Sequence, residues 1–121
     1  SYTQFAISNL RADKASMTAA DSITFTVQVK NIGQRAGSET VQLYVHDAKA
    51  SVDRPLKELK GFCKVSLKPG ESKDVSITLG KDALSFYDET TASWKAEPGQ
   101  FEAWVGNASD NLKLKKTFEL K

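Results

Sequence analysis

At 121 residues, 40% of them apolar and 26% charged, the chain reads as one soluble globular domain. At this length folding buries roughly 65% of the unfolded surface without help from disulfides or metal. Seventeen cations against fifteen anions leave a net charge of +2 with no long basic block, which argues against a grip on nucleic acid; no apolar run nears the ~20 residues of a membrane span.

In chain order, the opening "SYTQFAISNL" lacks the basic start and apolar core of a signal peptide and predicts a strand around Phe5 and Ile7. "SITFTVQVK" alternates Ile23, Phe25, Val27 and Val29 with polar residues, the pattern of a strand with one wet face. "TVQLYVH" repeats it through Val41, Leu43 and Val45, and a less regular strand runs from Lys57 to Leu67. "KDVSITL" adds Val75, Ile77 and Leu79, "FEAWV" adds Phe101, Ala103 and Val105, and "LKLKKTFEL" adds Leu112, Leu114, Phe118 and Leu120. Between them, "NIGQRAG", "KPGES" and "EPGQ" carry turn residues, and "KDALSFYD" suits a single helical turn at a corner. About seven strands, no sustained helical stripe and no internal repeat predict a two-sheet antiparallel sandwich of immunoglobulin or fibronectin type III kind over residues 1–121. Strand parity places Phe25, Val27, Leu43, Val45, Val75, Ile77 and Phe101 in its core.

Few residues carry chemistry. His46 is the only histidine and falls opposite Val45, a surface position without a nucleophile to activate. Cys63 cannot bridge within the chain and fits a small core hydrophobe. Asp88 with Glu89, and Asp47 with Asp53, are the available carboxylate pairs. Glycoside hydrolysis needs two carboxyls about 5 to 9 Å apart across a sugar in a cleft, whereas neighbours on a strand point to opposite faces. Solvated turn acids are the simpler reading, and no catalytic, cofactor or metal site is expected. Trp104 alternates out of phase with its apolar neighbours and faces outward, beneath a sugar, another domain or its own loops. Trp94, after the polar "DETTAS", is expected to plug one end of the sandwich. "NAS" at Asn107 to Ser109 is an N-glycosylation triplet that reads as a turn.

The order of these pieces matters more than any one. "NIGQRAGSETVQLYVHD", "RPLKELKGF", "SLKPGES", "LSFYD", a tryptophan and "EPGQFEAWVG" together resemble the fibronectin type III-like domain at the C-terminus of glycoside hydrolase family 3 enzymes, the β-glucosidases and β-xylosidases. Asn31, Gly33, Gly37, Tyr44, Arg54, Pro55, Gly61, Phe62, Pro69, Gly70, Tyr87, Trp94 and Gly106 are among the matching positions, and "SYTQF" resembles the segment that enters this domain. The resemblance implies an accessory module whose parent holds its nucleophile and its acid/base in preceding domains, so that none maps here. It also implies the catalytic domains of the same chain as partner, and a periplasmic or secreted location.

"RPLKELKGF" is then an edge strand, entered through Arg54 and Pro55 and kept charged by Lys57, Glu58 and Lys60. Arg54, Pro55, Lys57 and Glu58, with outward Trp104, are the candidate contacts to the catalytic domains. Two other readings stand beside it: a carbohydrate-binding module using Trp104 and Tyr44 as a platform for polysaccharide, and a free-standing immunoglobulin-like interaction domain.

Overall fold

The computed structural model describes residues 4–48, 57–108 and 111–121. Seven strands of eight or more residues dominate: β1 (Phe5–Ala12), β3 (Ser22–Asn31), β4 (Gly37–Asp47), β5 (Glu58–Leu67), β6 (Ser72–Gly80), β9 (Gly99–Gly106) and β10 (Leu112–Leu120). Three short ones join them: β2 (Ser16–Met17), β7 (Phe86–Asp88) and β8 (Ser93–Lys95). "KDAL" forms one 3-10 turn, Lys81–Leu84, that seats the fully buried Leu84 against the core. A three-stranded sheet β1-β3-β6 faces a five-stranded sheet β2-β10-β9-β4-β5, and β7-β8 form a separate ribbon. All the long-strand pairs are antiparallel.

Alternation decides which side chains meet between the sheets. Ile23, Phe25, Val27 and Val29 of β3 face Val41, Leu43 and Val45 of β4 and Phe101, Ala103 and Val105 of β9 in one buried cluster. Of the seven residues that parity assigns to the core, six are buried; Ile77 is half-buried, packed on the rim of the cluster. Its place explains a glycine. A Cβ on Gly61 of β5 would lie 2.6 Å from Ile77 Cγ2, so the bare backbone there lets the edges of the two sheets approach. Cys63 is likewise half-buried against the core, closer to the hydrophobe reading than to a reactive thiol.

The outer face of the smaller sheet is polar. Thr24 and Thr78 share a hydrogen bond at 2.8 Å, Thr26 and Ser76 one at 2.9 Å, and Arg11 reaches Asp74 at 2.7 Å. Such solvent-exposed pairs contribute little. Thr26→Ala should therefore stay within about 0.5 kcal/mol of the parent in urea denaturation, and so should Gln42→Ala on the outer face of the five-stranded sheet, where the amide oxygen accepts only from the Tyr44 hydroxyl at 2.9 Å. A core-sized loss at either site would show the register to be wrong.

Two turns are fastened by one buried amide. Asn31, at the end of β3, continues the inward parity of Val29 and is fully buried. Its Nδ2 donates to Arg35 O at 2.8 Å and to Leu67 O at 3.1 Å, and its Oδ1 accepts from Gly33 N at 2.9 Å. Its backbone N–H donates to Glu71 O and its carbonyl accepts from Gly70 N, both at 2.9 Å. Pro69-Gly70 make a turn in which Gly70 takes φ +79° and Glu71 N closes on Lys68 O at 3.0 Å. "NIGQRAG" and "KPGES" are thus joined through Asn31.

Candidate functional site

The outer face of the five-stranded sheet contrasts with the polar ladder opposite. Leu59, Tyr44, Trp104 and Lys115 sit directly opposite one another on β5, β4, β9 and β10, forming a row that crosses four strands. Phe62 lies in the neighbouring row opposite Gln42. Leu59 is 49% and Phe62 69% exposed. Residues three apart on a regular strand point to opposite sides, so this shared face needs a cause. The cause is a bulge. Between the Leu43–Gly61 and Tyr44–Leu59 pairs β5 carries one extra residue, Lys60, which turns Leu59 to the same side as Phe62.

Among the candidate contacts, the structure brings Lys57 and Trp104 together. Lys57 Nζ lies 4.0 Å from the centroid of the outward indole and Lys115 Nζ 5.4 Å from it, both within cation–π range. Trp104 Nε1 donates to Glu102 Oε1 at 3.2 Å, and Lys115 stands 3.6 Å from Glu102 Oε2. Trp104 is therefore half-buried, covered by side chains of its own domain. Glu58 enters β5 opposite Val45, with Lys60 Nζ 3.9 Å from its Oε2. Arg54 and Pro55 lie outside the described residues. β5 is an edge strand of its sheet, as the charges of "RPLKELKGF" predict.

The carboxylate pairs do not converge on a cleft among the described residues. Asp88 takes a 2.9 Å ion pair from Lys95 and the backbone N–H of Thr90, also at 2.9 Å. The Lys95 ammonium, more than any other neighbour, holds the Asp88 carboxyl below its ordinary value of 3.8. A depressed carboxyl stabilises the fold above its unfolded value, and that contribution fades as pH falls through the folded one. Asp47 ends β4 opposite Phe101, while Asp53 lies outside the described residues. His46 stands opposite Glu102 on the outer face, and its Nδ1 is buried without a hydrogen-bond partner among the described residues. Asn107 donates to Glu39 Oε2 at 3.3 Å and accepts from Asn111 at 2.6 Å, which commits its amide to the turn; Ser109 is not among the described residues.

One expectation is overturned. Trp94 does not plug the sandwich: it is 71% exposed on β8, opposite Tyr87 of β7, with the rings 5.5 Å apart and 77° between their planes. Leu84 joins the core cluster and Phe86 is buried instead. Leu84 arrives from the 3-10 turn that precedes the ribbon, leaving the indole outside.

The family model of the fibronectin type III-like domain matches residues 39–109, from β4 through β9. The chain belongs to this family. The fibronectin type III-like domain is 46% identical, over 117 residues, to thermostable β-glucosidase B of Acetivibrio thermocellus, covering 97% of this chain and 16% of that protein. The periplasmic β-glucosidase of Salmonella typhimurium is 40% identical over 120 residues, covering 99% and 15%. In a β-glucosidase structure from Erythrobacter marinus the same fold recurs with a TM-score of 0.92 and 38% identity, over 99% of this chain and 16% of that one. The domain thus spans about 16% of the length of the β-glucosidases it matches.

Proposed function

We propose that this fibronectin type III-like domain is the non-catalytic accessory module of a β-glucosidase of the family 3 type, seated against the catalytic domains of the same chain and stabilising them. The single observation that carries the reading is the apolar strip of Leu59 and Phe62 on the outer face of β5, beside Tyr44, Trp104 and Lys57. Large apolar side chains held outward by a bulge contribute little to the domain's own core; their burial becomes favourable only against another surface. The opposite face, with its hydroxyl pairs, offers no such strip among the described residues. Lys57 and Trp104 border the contact, Glu58 joins it from the edge of β5, Arg54 and Pro55 precede them in the sequence, and an interface of about 600 to 1,500 Å² is the ordinary size for domains of one chain. The relatives with this domain include a periplasmic β-glucosidase, which supports a periplasmic or secreted location for the parent.

As a sugar platform Trp104 is the weaker choice, because two lysines already occupy its ring. The bracing role is tested by Phe62→Ser, made both in this chain and in a full-length β-glucosidase that carries it. The isolated chain should lose no more than about 0.5 kcal/mol, while the full enzyme melts several degrees lower. An unchanged melting temperature in the full enzyme would remove the strip from any interface.

A further inference from the structure

A second exposed aromatic lies away from the strip, on the β7–β8 ribbon, and its surroundings differ in kind. Trp94 lines an open groove of ≈ 530 Å³ together with Lys81, Asp82, Ser85, Lys95, Glu97 and Pro98. An adjoining hollow of ≈ 370 Å³ is bounded by Asp82, Ser85 and the same indole. Both volumes fall in the range of small-ligand sites. We infer that this groove binds a pyranose unit of a carbohydrate chain, with Trp94 as the stacking surface and the Asp82 carboxylate as acceptor for the sugar hydroxyls.

Three observations carry this assignment, and none depends on the bracing role. The first is that the indole is both bare and held. Tyr87 meets it edge to face at 5.5 Å, and the Lys95–Asp88 ion pair at 2.9 Å ties the two strands on either side. Buried Phe86 anchors the ribbon to the domain. A platform already fixed loses little conformational entropy when a ligand arrives. By contrast, Trp104 has cations over its ring.

The second is the chemistry of the rim. Asp82 is exposed beside Trp94, and Ser85 spends its hydroxyl on Lys81 O at 3.0 Å, which holds the 3-10 turn that carries Asp82 in place. A flat apolar surface next to the Asp82 carboxylate, with Glu97 also on the groove wall, complements a pyranose, whose ring C–H groups form an apolar face and whose equatorial hydroxyls project at the edge. A carboxylate accepts hydrogen bonds from hydroxyl donors and forms the stronger, charge-assisted kind.

The third is what the rim excludes. Lys81, Asp82 and Glu97, with Lys95 paired to Asp88, place charges of both signs around the aromatic, whereas the core of a protein–protein contact is depleted of charge. Asp82 also opposes a phosphate backbone. A solvated, neutral, amphipathic ligand is the remaining fit, and a sugar chain is the one that also stacks.

The test is a titration of the 121-residue chain with cellohexaose and with laminarihexaose, followed by tryptophan emission. A saturable change with at least one of the two is expected. Trp94→Ala should abolish it, Asp82→Asn should weaken affinity about tenfold, the equivalent of one charged hydrogen bond, and Trp104→Phe should leave affinity unaltered. Since Trp94 is exposed, Trp94→Ala should keep the circular dichroism of the parent, so that loss of binding is not loss of fold. A flat titration with both sugars, or a response that survives Trp94→Ala, overturns the assignment. So does a flat titration combined with a lower melting temperature for Trp94→Ala in a full-length β-glucosidase, which would give the indole to a neighbouring domain. Because the bracing role is read from Phe62→Ser, either proposal can fail alone.

Discussion

Replacing Asn31 by leucine is expected to destabilise the domain by about 3–5 kcal/mol, although the two side chains are close in size. The substitution strips partners from Arg35 O, Leu67 O and Gly33 N in one step. Each buried polar group left without a partner costs about 1–3 kcal/mol. The Leu67 carbonyl lies deepest and carries the largest share. Aspartate should not rescue the site: it can still accept from Gly33 N, but it sets an anionic oxygen against two carbonyls that need a donor. Urea denaturation with an unchanged slope is the measurement. A loss below about 1 kcal/mol for Asn31→Leu would mean that water replaces the amide at both turns.

Phe118→Ala is expected to cost about 3–5 kcal/mol as well, by a different route. The ring lies 5.3 Å from Phe25 at 67° and 5.6 Å from Phe101 at 24°, so it spans from β10 to the opposite sheet and to its own neighbour strand. Truncation removes apolar burial, opens a cavity between the sheets and deletes two aromatic pairs, each about 0.5–1.5 kcal/mol. Against the 5–15 kcal/mol that holds a typical domain together, either substitution leaves the fold marginal. Phe118→Leu keeps most of the buried area and should recover more than half of the loss. Equal costs for Phe118→Leu and Phe118→Ala would place the energy in the ring geometry rather than in burial.

Much of this architecture was legible because period two is a long-range signal. β3 spells it over Ile23, Phe25, Val27 and Val29, and the same alternation reaches Asn31, where a polar residue takes a core position. That in-phase asparagine was the available clue to the join between the turns. The outward setting of Trp104 followed from the same count, whereas the lysines that cover it come from β10 and from the residue preceding β5, a contact that exists only after pairing. The exposure of Trp94 is not legible in the sequence because β7 and β8 have three residues each, too few to show a period. The exposed strip was hidden for a related reason. Leu59 and Phe62 sit at odd spacing, and only the bulge at Lys60, a feature of the ladder with β4, reconciles them.

The hydroxyl pairs on the three-stranded sheet set a limit on how the module can be used. Thr24 with Thr78 and Thr26 with Ser76 bond each other across the strands, so that wall carries short polar side chains. A partner landing there would meet hydroxyls and, among the described residues, no large exposed apolar side chain of β1, β3 or β6 to cover. The module has, in effect, a front and a back. On the bracing role proposed above, the back is left to solvent as an outer wall, and a second copy could not be stacked behind the first by the same contacts. On that proposal the module finishes an assembly rather than extending one.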